Sequence, residues 1–117
     1  MKKILAIVAL SLSPILGFGQ ELPNFSDYGT ATIDENHCVH LDDTKPIERY
    51  YSIDFSHLNF ENETEAFTAF GMIANNLLTY SVYFDEQKAV LLVHTDRTLK
   101  REDIVWWNNY LESLCDK

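Results

Sequence analysis

The chain has 117 residues, with 9 lysines and arginines against 18 aspartates and glutamates, giving a net charge of −9. This balance opposes nucleic-acid binding, which needs Lys and Arg to displace counterions from phosphates. It also opposes docking on an anionic membrane surface. A cationic partner or a metal ion remains compatible with it, as does the plain role of keeping a small protein soluble.

Residues 1–19 read as a secretory signal peptide. Met1-Lys2-Lys3 supplies a positive start, Ile4 to Leu16 an apolar run broken by Ser11, Ser13 and Pro14, and Gly17 and Gly19 the small residues before a cut at Gln20. The run is too short and too interrupted for a comfortable membrane span, and no cysteine near the cut offers a lipid attachment point. The expected destination is periplasmic or secreted, with no membrane anchoring after cleavage. Removal of Lys2 and Lys3 with the leader takes the net charge from −9 to −11. What is left has the size of one small domain.

Cys38 and Cys115 are the two cysteines. In an exported chain an even count reads as a disulfide, here closing a loop of nearly the whole domain and contributing roughly 4–5 kcal/mol on the chain-entropy model. A reactive or metal-binding thiol is the alternative.

Residues 20–36, with Pro23, Gly29 and scattered acids, are expected to form a flexible N-terminal arm, and residues 37–117 the folded domain. Cys38-Val39-His40-Leu41 is a short strand-like run, followed by the turn cluster Asp42-Asp43-Thr44-Lys45-Pro46. Tyr51, Ile53 and Phe55 then alternate with Ser52, Asp54 and Ser56, a half-buried strand that is expected to pair with the first as a hairpin. Asn62, with Glu65 three residues on, has capping-box spacing. Ala66, Phe67, Phe70, Ile73, Ala74 and Leu77 follow as a helical apolar stripe. Gly71 either costs this helix stability or serves a close approach to the sheet, and Asn75-Asn76 suit a left-handed cap. Tyr80, Val82 and Phe84 alternate along another strand, Asp85 to Lys88 turn the chain, and Ala89 to His94 return as a more fully apolar strand. Thr98 is placed to cap a last helix from Leu99 to Cys115, with Ile104, Trp107, Leu111 and Leu114 inward.

The order β-β-α-β-β-α predicts an α+β two-layer sandwich, ferredoxin-like, with a four-stranded antiparallel sheet and two helices on one face. Such a fold has a slot beside the Tyr51 strand, and Cys38–Leu41 is assigned to it, antiparallel. That placement brings Cys38 to the end of the last helix and predicts Cα atoms of Cys38 and Cys115 within about 7 Å. The expected core is Ile53, Phe55, Phe70, Ile73, Val82, Leu92, Trp107 and Leu111.

The stretch from Tyr80 to Val93, with Arg101-Glu102-Asp103-Ile104 at the start of the last helix, resembles the central hairpin and second helix of heavy-metal-associated domains. The resemblance extends over Tyr50 to Leu114 and implies their ferredoxin-like fold. Members of that family bind copper or related ions through a Cys-x-x-Cys loop between the first strand and first helix. Here that loop reads Ser56-His57-Leu58-Asn59-Phe60-Glu61-Asn62, without cysteine, so the family's metal ligands do not carry over.

Three histidines offer an alternative copper or zinc site. His37-Cys38-Val39-His40 combines a thiol with two imidazoles, although residues three apart on a strand point to opposite faces and a disulfide would remove Cys38. His57 lies beside Asp54, Glu61 and Glu63, a pattern equally expected of an acidic helix start. No nucleophile–base pair and no glycine-rich phosphate loop is present, so no enzymatic role is expected. Tyr50, Tyr83, Trp106 and Tyr110 fall off the expected core faces, and Tyr and Trp are enriched at binding hot spots. The expected function is thus a non-enzymatic binding module, using the open sheet face toward a protein partner or a second copy, with no cofactor. Low-affinity copper or zinc binding through His37, His40 or His57 is the alternative.

Overall fold

Ten short elements order the chain in the computed structural model, which describes residues 22–115. Strands β1 (Gly29–Ile33), β2 (Val39–Leu41), β3 (Tyr50–Asp54), β4 (Leu78–Tyr83) and β5 (Lys88–Val93) form one sheet in the order β2-β1-β3-β5-β4. Helix α1 (Glu63–Met72) connects β3 to β4, and α2 (Ile104–Ser113) follows β5. The α+β class and the two helices agree with the sequence, but the four-stranded antiparallel sheet does not. There are five strands, and β1 runs parallel to β3 while every other pairing is antiparallel.

The extra strand comes from the segment expected to be a flexible arm. In Gly29–Ile33 the buried residues Ala31 and Ile33 alternate with exposed Thr30 and Thr32, a period-two pattern of small and β-branched residues that suits a strand with one face in the core. β1 takes the slot beside β3 that was assigned to Cys38–Leu41. β2 does not pair with β3; it lies one place further out, as the edge. Gly29 pairs with Tyr51, and a Cβ there would stand 2.7 Å from Tyr51 Cε1 and 2.9 Å from Glu48 Oε2. No larger residue fits between that buried ring and the start of the strand.

Both helices cover the same face of the sheet. Ala66 and Phe70 of α1 and Trp107 and Leu111 of α2 share one core with Ala31, Ile33, Val39, Leu41, Tyr51, Ile53, Phe55, Leu78, Ala89, Leu91 and Val93. Aromatic rings fill its centre, with Phe55 5.5 Å from Phe70 and 5.7 Å from Phe60 between ring centroids, in the tilted and edge-on arrangements that rings prefer. Of the expected core, Ile53, Phe55, Phe70, Trp107 and Leu111 are buried, whereas Ile73 and Val82 are only half-buried at the margin. Leu92 lies on the other face. β5 is apolar on both sides, so its local pattern does not orient it, and pairing of Tyr51 with Leu91 and Ile53 with Ala89 decides which side turns inward.

The helix ends also differ from expectation. Asn62 caps α1, its Oδ1 accepting from Glu65 N at 2.9 Å, but the reciprocal Glu65 carboxylate accepts from Glu61 N rather than from the cap residue. The helix stops at Met72, and Asn75 takes no left-handed conformation. Its side chain instead accepts from Leu77 N and Leu78 N, closing the turn into β4. Gly71 has open space where a Cβ would stand, so it serves no close approach. α2 is capped by Asp103, which accepts from Trp106 N at 2.9 Å, and not by Thr98. Leu99 stands fully in solvent, and Leu114 is 40% exposed rather than inward. The leader assigned to residues 1–19 lies outside the described residues.

Cys38 and Cys115 form a disulfide with Cα atoms 5.2 Å apart. It ties the start of β2 to the end of α2, across a sequence separation of 77 residues.

Candidate functional site

The face of the sheet away from the helices carries Tyr50, Ser52 and Asp54 of β3, and Tyr83 of β4, on the outward side of each alternation. It is not bare. A short helical turn, Phe25–Asp27, precedes β1, closed by Asn24, whose side chain accepts from Ser26 N. Phe25 meets Tyr83 edge-on at 5.6 Å, and Tyr28 stacks on Tyr50 at 5.4 Å with planes inclined by 28°. The segment 25–28 thus links the β4 side of the sheet to the β3 side, passing over β5. Midway along this line is Val90, paired with Ser52 and Ser81. Val90, flanked on the same face by Leu92 and by the diagonal Tyr50 and Tyr83, is only 7% exposed. Segment 25–28 is a strap over the sheet.

The strap leaves part of the aromatic surface in solvent. Tyr50 is 42% exposed and Tyr83 half-buried. Leu22, at the near end of the strap, is also exposed. Lys88 and Asp54, cross-strand partners on this face, approach to 3.3 Å, and Ser56 donates to Asp54 from both its N–H and its hydroxyl, holding that carboxyl below the usual carboxylate range. Further along, His94 is buried with its Nε2 2.8 Å from Thr79 Oγ1. Desolvation, and then the positive charge of Arg97, lower its pKa from the ordinary imidazole value.

Trp106 and Tyr110 are elsewhere. They stack on each other at 5.4 Å on α2, in the helix layer, and the Tyr110 hydroxyl accepts from Asn75 Nδ2 at 3.0 Å. Both are half-buried against the core. The four aromatic candidates therefore divide between two layers: the structure joins Tyr50 and Tyr83 through the strap but not to the α2 pair. Phe25 and Tyr28 are the members that sequence reasoning missed. The alternation in Gly29–Ile33 was the available signal, since a strand there fixes where Tyr28 emerges.

The three imidazoles do not meet. His57 Nε2 lies 2.6 Å from Ile33 O; a carbonyl only accepts, so that nitrogen carries the proton and ties the β3–α1 loop to the end of β1. His37 occupies a left-handed conformation (φ 62°), its ring 6.0 Å from that of Phe60. His40 is exposed, 4.0 Å from Asp43. Among the described residues no three of His, Cys, Asp or Glu converge as a metal-holding group. No family model, no curated protein and no solved structure matches the chain.

Proposed function

We propose that the protein is a small exported, non-enzymatic interaction module whose working surface is the strapped sheet face. The observation that carries this reading is the exposed Tyr50 stacked on Tyr28, continued by Phe25 on Tyr83. Rigid rings held by one another lose little conformational entropy on binding, which is why Tyr-rich surfaces recur at interfaces. Export is supported by the Cys38–Cys115 disulfide, which suits an oxidising compartment. Among the described residues no helix is long and apolar enough to cross a membrane. A ferredoxin-like reading of residues 50–114 is supported by the β3-β5-β4 order with α1 and α2 on one face. β1 then stands, parallel, in the slot of the closing strand.

Site-directed photocrosslinking in the producing cell tests the assignment. A crosslinker at position 50 or 83 captures a discrete partner or a second copy, whereas one at exposed Phe67 on α1 captures none. Equal capture from all three positions, or none from 50 and 83, overturns it. Copper or zinc binding through His37, His40 or His57 predicts the reverse selectivity, with histidine substitutions mattering and the tyrosines silent.

A further inference from the structure

The sheet has two edges, and they are finished differently. At β2 the outward backbone groups of Leu41 are taken by Asn108 of α2, and Leu41 is buried. At β4 the ladder leaves groups free. Phe55 N donates to Gln87 O and Val93 N to Arg49 O, so odd-numbered residues along β5 bond toward β3. His94 N donates to Leu77 O, so the even-numbered ones bond toward β4. In an antiparallel ladder this alternation engages Thr79, Ser81 and Tyr83 with β5 and turns the N–H and C=O of Leu78, Tyr80 and Val82 outward. The main chain of Asn75, in the turn from α1, meets both outward groups of Leu78. Among the described residues nothing meets those of Tyr80 and Val82, and neither residue is buried.

An open edge is normally guarded by a charged side chain, a proline or a bulge. Leu78-Thr79-Tyr80-Ser81-Val82-Tyr83 has no charge and no proline, and it pairs with β5 residue for residue, without a bulge. In a chain of net charge −9, a second copy can approach this strand without opposing carboxylates. The strand also complements itself. In an antiparallel pair with its two-fold axis at Ser81, Tyr80 exchanges both outward bonds with the second copy's Val82, and Val82 with its Tyr80. Aromatic against β-branched is a favourable cross-strand pair, and the residue that meets itself on the axis is small. The same register carries exposed Glu86, just past β4, toward the second copy's Asn76, whose carbonyl accepts from Arg97 Nη1 at 2.6 Å. Neither Glu86 nor Arg97 is in an ion pair among the described residues, and the two-fold axis offers that pairing twice.

We propose that the protein pairs with a second copy of itself through β4, antiparallel about Ser81, so that the two five-stranded sheets join as one. The contact is a backbone edge and does not rest on the strapped-face reading.

The test is sedimentation equilibrium of the mature protein with its disulfide intact, with amide hydrogen exchange as the residue-level readout. A dimer is expected at chain concentrations below about 1 mM. On dilution, exchange should quicken at Tyr80 and Val82 far more than at Thr79 and Ser81, which β5 already holds. Ser81 is exposed and outside the core, so charge can be placed there without disturbing the fold. Ser81→Lys and Ser81→Glu each set like charges against each other on the axis and should each weaken the dimer at least about tenfold. An equimolar mixture of the two should restore it, which also shows that both variants fold. Tyr50→Ser should leave the dimer intact. A monomer at about 1 mM chain, or charged variants that dimerise alone or fail to rescue each other, would overturn the proposal. A dimer lost in Tyr50→Ser but kept in Ser81→Lys would also overturn it, placing the contact on the strapped face.

Discussion

On the helix side of the sheet Phe55, Phe70 and Trp107 are out of contact with solvent; on the other side Tyr50 keeps 42% of its surface exposed although a chain segment is stacked on it. The first face is sealed by two helices, a continuous apolar core and a covalent tie from β2 to α2. The second is sealed by a strap of a few residues held through two aromatic contacts. Burial of a whole helix face removes far more apolar area from water than two ring pairs do, and stability scales with that area. The helix side therefore carries the fold. The strap side is left with surface that binding can use, because local opening free energies are low where buried contacts are few.

This asymmetry predicts a graded series of effects. The largest is expected from Cys38→Ser with Cys115→Ser. The closed loop is long, so urea unfolding should show a loss of roughly 4.5 kcal/mol; a loss below about 1 kcal/mol would mean that the tie does not clamp the helix side. Next, Phe70→Ala opens a cavity among Phe55, Tyr80 and the sheet and should cost about 4 kcal/mol by the same measurement.

The strap should respond much less. Phe25→Ser with Tyr28→Ser removes both ring pairs and should cost about 1–2 kcal/mol, while hydrogen exchange at Val90 and its neighbours accelerates and exchange in α1 does not. If this double variant destabilises as much as Phe70→Ala does, the two faces are not energetically distinct.

The smallest effect concerns pH. The depressed pKa of His94 means that the unfolded chain takes up the proton first. Its contribution to stability is therefore complete above the ordinary imidazole value of 6.5 and declines as the pH falls below it. A His94→Gln variant should lack this part of the acid-side decline. Because Thr79, the His94 partner, lies on the strapped face, the amide exchange that quickens on mild acidification should be on that face.

Much of the helix side was legible in the chain. Tyr51, Ile53 and Phe55 announce one buried strand face by strict alternation, and Asn62 marks a helix start by its own short side chain, which needs only the next turn of backbone to bond. The proximity of Cys38 and Cys115 was also reachable, though by a route that was wrong in detail. β2 was assigned beside β3, but it lies one strand further out and runs in the inferred direction. The error left the disulfide intact because α2 packs across β2, reaching Leu41 through Asn108. Of the candidate residues, Tyr50 and Tyr83 could be read from alternation. Their joining through Phe25 and Tyr28 could not, since no local spacing relates residue 25 to residue 83.

What the sequence determined by itself is whatever depends on near neighbours: the types of the two helices and of strands β2 to β5, the Asn62 cap, the acidic surface and the inward side of a strand that is polar on its other face. The tertiary structure alone decided the rest. It placed β1, parallel to β3, between β3 and the edge strand β2, and it chose between the two apolar sides of β5, where Leu91 and Leu92 are locally equivalent. It also brought Phe25 onto Tyr83 and Tyr28 onto Tyr50. Each of these is a choice among partners distant in the chain. The free energy that settles such a choice comes from area buried between elements, which no local period records.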